Sequence, residues 1–529
     1  MGTVTVKQLE ERRKSAQMER DSFQPLLDEV YKYVVPYRKG ISRTGAGEKR
    51  INQIFDNTAM IAAFRGAGRI AQDISPPGQQ SFELTPGALA KIVLPRRELE
   101  ELERQIEPTK AVINAHFQTG EWDQSLQEMA LDLEASTGCM LIVPDKRRRI
   151  SRFVSVPLEE VMLTKGPYNE VNGIFWTRKW SLRAIVEEFG DGKFTEELAK
   201  TLKEKPEHEI CLYQDTIYEP DEDRWCRVAW AKENQGKNSQ PVAFERSYSK
   251  TCPWLTPRYF VVPGEVYGRG TAMLVMPTVN ALNTATKLNL QGAAIAMLGI
   301  YTAIDDGVFS PDNAPITPGA FWKVARNGGA LGPSVQRFPD PRIDLSQIIL
   351  KELRMDVQAG MNDQSLPPDS AAVRSATEIM ERMKRLATDH MGAFGRLIME
   401  IAVPAVKRVM EIAYEFQQIP NNIPIDRLLI DLQVSSPMAM AREAERLQRI
   451  MQYVEMAMML SPNMPGRYVK LDEVMPDVAR ALAIPSKYIP TQDEREAMDE
   501  QAATAQALAA GAAMAAEDPD AVEELAQAA

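Results

Sequence analysis

Residues 271–298 (TAMLVMPTVNALNTATKLNLQGAAIAML) carry few charges, few β-formers in succession, and apolar side chains at helical spacing. At about 1.5 Å per residue this is about 35–40 Å of helix. Pro277 either kinks that helix or marks its true start. A second helix is expected over Asp344–Gly360, with Leu345, Ile348, Ile349, Leu353 and Val357 on one side. Between them, residues 299–342 break into short pieces rich in Gly and Pro, a small loop-rich α/β module. Two helices flanking such a module make a hairpin-like stalk, and the rest of the chain has to be arranged around it.

The flanking regions differ in texture. Leu9, Ala16, Phe23, Leu26, Leu27, Val30, Tyr31 and Val34 predict a helix over 1–35, stopped by Pro36 and Gly40. The basic, Gly/Ser-rich segment Arg38–Arg50 reads as an exposed loop. A helix from about Asn57 to Ile74 ends at Ser75-Pro76-Pro77-Gly78, and a short strand, Ser81–Leu84, follows. Residues 97–135 read as helical by charge pairing and apolar spacing. Residues 138–266 read as mainly β, with strands at Ile150–Val156, Val161–Leu163, Ile174–Trp180, Ile210–Tyr218, Trp225–Ala231 and Tyr259–Val262, and one helix near Leu182–Phe189.

After the stalk, residues 361–374 are small, polar and Pro-containing, a loop. Ser375-Ala376-Thr377-Glu378 fits a capping box, in which Ser and Glu satisfy two otherwise unpaired backbone donors. It opens a helix to about Phe416, with a bend expected at Pro404. Residues 425–434 suggest a short strand, Ala439–Leu460 a Met-rich helix, and Asp472–Leu482 a further helical piece. From a second capping-box match at Thr491 the chain is Ala/Glu/Gln-rich, an exposed helix or frayed tail.

Composition excludes several classes. With 62 Lys+Arg against 73 Asp+Glu, the net charge is −11, which argues against a surface that wraps nucleic acid. No run approaches the ~18 uncharged apolar residues that span a membrane. The charged start lacks the apolar core of a signal peptide, so a cytoplasm-like compartment is expected. The four cysteines (Cys139, Cys211, Cys226, Cys252) form no C-x-x-C pair, and the three histidines (His116, His208, His390) form no H-x-x-x-H. Neither a zinc ribbon nor His-based catalysis is suggested, and no cofactor or metal is expected.

The chemical motifs are thin. There is no G-x-x-x-x-G-K-[ST] to cradle phosphate and no G-x-S-x-G nucleophile elbow. Gly190-Asp191-Gly192-Lys193 has the wrong spacing and reads as a turn. Gly66-Ala67-Gly68-Arg69-Ile70-Ala71 matches a dinucleotide fingerprint, but inside an Ala-rich helix, where close packing by small residues is the better account. Asp305, Asp306, Asp340 and Asp344 have no metal-ligand partner at a recognisable spacing, and His390 reads as a packed or capping residue. Lys146-Arg147-Arg148-Arg149 reads as a solvated turn before a phosphate contact.

The order of several segments carries a resemblance. Asp56-Asn57-Thr58-Ala59 and Ser75-Pro76-Pro77-Gly78 come first, then Tyr267-Gly268-Arg269-Gly270-Thr271-Ala272-Met273 leading into Pro277-Thr278-Val279-Asn280-Ala281-Leu282-Asn283. Ser375–Arg382 follows, then Gly395-Arg396-Leu397, Glu400 and Pro404. Over residues 1–490 the chain resembles the portal (head-to-tail connector) proteins of podovirus-type bacteriophages.

The resemblance implies an α+β, helix-rich fold of portal architecture, with a wing, a helical stem, a small α/β clip and a helical crown. It places the wing at 1–266, stem helices at 271–298 and 344–360, the clip at 299–342 and a channel loop at 361–374. A long wing helix would take 375–418, the crown region 419–490 and the Ala/Glu-rich tail 491–529. It implies a homo-oligomeric ring of about twelve copies, a dodecamer, at one capsid vertex of the virion, assembled in the host cytoplasm. Double-stranded DNA would pass through its channel during packaging and genome ejection. Major capsid and scaffolding proteins, terminase, and tail adaptor or nozzle proteins would be its partners, with no membrane.

Lys351, Arg354, Ser365, Leu366 and Arg374 are the DNA-channel candidates; Phe309, Phe321, Trp322 and Arg326 are the clip candidates for partner contact. The acidic balance suits a conduit, since each phosphate contact slows sliding. A ring of twelve would carry roughly −130, offset locally by a few basic residues. The competing readings are another helical virion component, such as a tail adaptor or scaffold, and a terminase-like enzyme. The missing P-loop and the lack of an ordered carboxylate cluster weigh against the enzyme.

Overall fold

The computed structural model describes residues 5–38, 51, 53–76, 82–190, 194, 196–232, 241–298, 301–303, 335–337, 343–361, 363, 395–419, 430–434 and 437–460, with 474–475, 478, 494–495, 497–498 and 500–506. The chain begins with helices α1 (Val6–Tyr33) and α2 (Thr58–Ile74), strand β1 (Phe82–Pro86), and helices α3 (Ala88–Val93), α4 (Arg96–Thr119) and α5 (Trp122–Ala135). Strands β2 (Met140–Asp145), β3 (Ile150–Ser155), β4 (Val161–Lys165) and β5 (Val171–Ser181) lead to helices α6 (Leu182–Phe189) and α7 (Glu196–Glu204). Strands β6 (Glu209–Glu219), β7 (Arg224–Lys232), β8 (Pro241–Ser249) and β9 (Trp254–Leu255) precede the long helix α8 (Thr271–Leu298). Strands β10 (Tyr301–Ala303) and β11 (Val335–Arg337), helices α9 (Ile343–Gly360) and α10 (Val403–Glu415), strand β12 (Ile430–Val434) and helix α11 (Pro437–Leu460) follow.

Packing divides the chain into two compact units. The first takes residues 1–71, 121–143 and 152–405. Its centre is a five-stranded antiparallel sheet in the order β4-β5-β6-β7-β8. α1 lies on it because Leu9, Ala16, Leu27 and Val30 recur at near-heptad spacing and are all buried. Arg13 and Arg20 occupy the same buried stripe, and the fold answers both charges. Arg13 donates to Asp215 and to the Trp176 carbonyl (3.0 Å), while Trp230 Nε1 donates to the other Asp215 oxygen at 2.8 Å. Burial pushes the Asp215 carboxyl up, and Arg13 and Trp230 pull it back. Arg20 lies over the Tyr267 ring, 5.2 Å from its centroid. The apolar cluster below α1 joins Leu27, Val30, Trp176, Trp254 and Tyr267 to Val275, Val279 and Leu282 of α8.

The second unit takes residues 72–120, 144–151 and 406–529. In it β1 pairs antiparallel with β12, from Phe82 opposite Val434 to Pro86 opposite Ile430. α4 covers β1: the Phe82 and Phe117 rings lie 4.5 Å apart. Buried His116 accepts from the Ser151 amide on Nδ1 (3.0 Å), so Nε2 carries the proton that meets Gln418 at 2.6 Å. Burial lowers its pKa, against the opposing pull of the Gln418 hydrogen bond. The Lys146–Arg149 run is the β2–β3 turn: Asp145 accepts from the Arg147 and Arg148 amides at 2.9 and 3.1 Å, and Arg149 docks on Phe416.

Several expectations are refined. The helical stretch 97–135 is two helices, broken where Glu121 takes a left-handed φ of 63° directly after Gly120. α3, α7 and strands β8 and β9 were not anticipated. Tyr259–Val262 forms no strand, only a single bridge from Phe260 to Arg269, because prolines 253, 257 and 263 interrupt pairing. α8 starts at Thr271 and runs on through Pro277, whose ring stands exposed. Ahead of Pro404, residues Ile398–Ala402 form a π-helical turn, the accommodation such a proline asks for. The Ser375 capping box, the Thr491 box, His390, Asp305, Asp306 and Asp340 lie outside the described residues.

Candidate functional site

Three of the segments singled out in the sequence, Asp56–Ala59, Tyr267–Met273 and Pro277–Asn283, meet at the α8–α9 hairpin and its foot, all within the first unit. α8 and α9 run antiparallel. A Cβ added to Gly360, at the end of α9, would meet Val275 Cγ1 at 2.2 Å near the start of α8. At the other end, β10 pairs antiparallel with β11, Tyr301 opposite Arg337. Leu350, Val357 and Met361 fill the seam against Val275, Val279 and Leu282.

The foot is built by the Tyr267–Met273 segment. Tyr267 stacks on Phe23 at 5.4 Å and its hydroxyl accepts from the Leu163 amide at 3.2 Å. Ser136 Oγ donates to the Gly268 carbonyl (2.7 Å), and the Gly268 amide donates to Thr137 Oγ1 (2.8 Å). Thr271, the first residue of α8, donates to Glu134 on α5. Gly270 and Gly66 both pack against Glu134, but only at Gly270 is the obstacle backbone rather than the end of a side chain that can turn aside. A Cβ on Gly270 would fall 1.9 Å from the Glu134 carbonyl oxygen, and one on Gly66 of α2 would fall 2.4 Å from Glu134 Oε1. Gly68 faces open space, so the small-residue account of the 66–71 motif holds for Gly66 and fully buried Ala67 but not for Gly68. Buried Glu134 has its pKa raised by desolvation to about 7, against the pull of the Thr271 hydrogen bond and the Arg69 charge.

The two asparagines of Pro277–Asn283 tie α8 to its surroundings. Asn280 donates to Glu29 of α1 at 2.6 Å. Asn283 accepts from the Phe55 amide (2.7 Å) and donates to the Gln53 carbonyl (3.1 Å). Asp56 in turn accepts from the Thr58 amide (2.9 Å) and pairs with Arg354 of α9 at 2.8 Å. Burial raises the Asp56 pKa, but the Thr58 and Arg354 hydrogen bonds outweigh it and hold the carboxyl below its usual value. A depressed carboxylate contributes stability above its unfolded pKa and loses it as pH falls through the folded one. Arg354→Ala is expected to cost about 0.5–1 kcal/mol at pH 7, because the arginine is half exposed. Faster hydrogen exchange over 53–58, and a smaller penalty below pH 4, would be the readout.

Among the sequence candidates, Lys351 and Arg354 are exposed on α9, with Arg354 tied to Asp56. Ser365, Leu366, Arg374, Phe309, Phe321, Trp322 and Arg326 lie outside the described residues. Glu400, on the π-turn, anchors Arg258 through its amide (2.8 Å) and guanidinium (3.2 Å). Among the described residues no group of three His, Cys, Asp or Glu is placed to hold a metal ion, and no helix is long and apolar enough to cross a membrane. Sequence reasoning missed Glu134, which is one of many acidic residues in a charged helical stretch. It also missed a groove of about 450 Å³ lined by Asp28, Glu29, Lys32, Tyr33, Asn280 and Thr284.

No curated protein matches the sequence. The solved structures it is similar to include the neck of an empty GTA particle computed with C6 symmetry, at 10% identity, covering 78% of this chain and 88% of that one, with a TM-score of 0.32. The neck of a native GTA particle computed with C12 symmetry is similar at 10% identity, over 79% of this chain and 90% of that one, with a TM-score of 0.31. At such scores the likeness carries no weight, and the ring symmetry belongs to those particles. The profile of the family described as "Bacteriophage head to tail connecting protein" matches residues 6–489, nearly the whole chain. The chain belongs to the bacteriophage head-to-tail connecting protein family, and its place is the head–tail junction of the virion.

Proposed function

We propose that the protein is a portal subunit, and that copies close into a ring at one capsid vertex through which double-stranded DNA is packaged and ejected. The observation that carries this reading is the hairpin. α8 is 28 residues long with Lys287 as its single charge. Leu274, Leu288 and Leu290 stand about 60% exposed on it. Among the described residues nothing covers that side of the helix, as in a subunit of a closed assembly.

In this reading α8 and α9 are the stem, 299–342 the clip that docks terminase and then tail adaptors, and 361–374 the channel loop carrying Ser365 and Leu366, with Arg374 at its end. Residues 1–266 and 375–418 form the wing and 419–490 the crown. Phe309, Phe321, Trp322 and Arg326 are the clip side chains offered to partners. The net charge of −11 per copy supports a conduit that lets DNA slide.

Electron microscopy of the purified protein tests the proposal. Rings of about a dozen subunits with a central hole are expected; monomers or fibres overturn it. An ATPase and nuclease assay on the same preparation is expected to give no activity.

A further inference from the structure

Among the described residues the hairpin leaves two stripes without a partner, one on each outer side. On α8 the exposed residues Leu274, Pro277, Ala281, Thr284, Leu288 and Gln291 follow a 3-4-3-4-3 spacing. That is the seam spacing of packed helices, and it holds no charge. At about 100° per residue it lies opposite Val275, Val279 and Leu282, the face turned to α9. On α9 the exposed residues Ile348, Glu352, Met355 and Ala359 follow a 4-3-4 spacing, on the side opposite Leu350, Leu353 and Val357, so Ile348 does not share the face of Leu353 and Val357 that the sequence spacing predicts. The hairpin thus presents one open seam beyond α8 and another beyond α9, the layout of a head-to-tail contact between identical units.

Heights along the hairpin match as well. Val275 is level with Gly360, and loop residues 55 and 56 bind Asn283 and Arg354 at one level. Counting from these anchors along antiparallel helices, Thr284 lies level with Lys351 and Leu288 with Ile348. Rotation about an axis running along the hairpin preserves height, so neighbouring copies meet at these levels.

Charge then selects the pairing. Exposed Lys351 projects between the Arg354 flank of α9 and its outer stripe. On α8, Asn280 stands between the Asn283 flank and the open stripe, on the same side of the row. There Asn280 and Thr284 line the groove that holds two carboxylates, Asp28 and Glu29, against one ammonium, Lys32. Lys32 is drawn to the Tyr33 ring, 5.1 Å from its centroid.

We propose that each copy seats the outer stripe of its α9 on the open stripe of α8 in the next copy, with Lys351 of that α9 entering the groove beside Asp28 and Glu29. The proposal rests on the ring reading and names its interface. It takes Lys351 off the channel wall and makes it an intersubunit charge.

A Leu288→Cys/Ile348→Cys variant tests it directly. Within one chain the two positions lie on opposite sides of the hairpin and cannot bridge. Mild oxidation should give a covalent ladder up to ring size on a non-reducing gel, with no ladder from either single variant. In parallel, Lys351→Glu should lower the ring fraction by about tenfold, and Asp28→Lys combined with it should restore rings. Wild-type rings with no ladder from the double-cysteine variant, and rings untouched by Lys351→Glu, overturn this interface and leave the ring reading standing. A wild-type protein that stays monomeric overturns both. If Lys351→Glu loses its helical circular dichroism, the cysteine ladder alone decides.

Discussion

Glu134→Gln is expected to stabilise the protein by about 3 kcal/mol at pH 8 and to flatten its pH dependence between about 4.5 and 7. The carboxyl is buried where α2, α5 and the first residue of α8 meet, and desolvation raises its pKa from 4.5 to about 7. A carboxyl with a raised folded pKa favours the folded state in its neutral form. Its contribution is complete below the unfolded pKa and is lost as pH rises through the folded one. At pH 8 the wild type therefore holds a charge in an apolar joint, answered by the Thr271 hydroxyl and the more distant Arg69. Glutamine keeps the shape and the acceptor but carries no charge. Urea unfolding at pH 5 and pH 8 measures the effect. Asp132 and Asp215, also raised by burial, add their own slopes to both proteins, so the difference between variant and wild type isolates Glu134. Equal stabilities at pH 8 would contradict the burial of this side chain.

Gly270→Ala acts at the same joint and is expected to cost about 3 kcal/mol or more. Its new Cβ would lie 1.9 Å from the Glu134 carbonyl oxygen and 2.4 Å from the carbonyl carbon. Both are backbone atoms at the end of a helix, so neither can rotate aside as a flexible side chain would. The start of α8 has to move, and the Thr271–Glu134 hydrogen bond goes with it. A large fall in the urea midpoint, or loss of soluble protein, is the expected result. An unchanged midpoint would show that α8 does not approach α5 as closely as the structure has it.

These two residues show where reading the sequence stops. Gly270 belonged to a segment already singled out, but the atom that forbids a Cβ there lies 136 residues earlier. Glu134 is partnered to Thr271 across 137 residues. Arg13 and Asp215 are 202 apart, and nothing local distinguishes that arginine from its neighbours on an otherwise charged helix. The pairing of Phe82–Pro86 with Ile430–Val434 is likewise invisible, because neither short strand names its partner. The break at Glu121 was legible in principle, since Gly120 is a helix-ending residue in the right place.

What the sequence determined by itself is local and periodic: the two stalk helices, the charge-poor face of α8, the first helix, the mainly β region and the absence of a phosphate-loop motif. These follow from side-chain spacing within a few turns or strands, where neighbours in sequence are neighbours in space. Tertiary structure alone decided which charges are buried, which glycine admits no side chain, and how the Asp56, Tyr267 and Asn283 segments join at one hairpin. Burial and contact depend on residues hundreds of positions apart, and no local pattern encodes those distances.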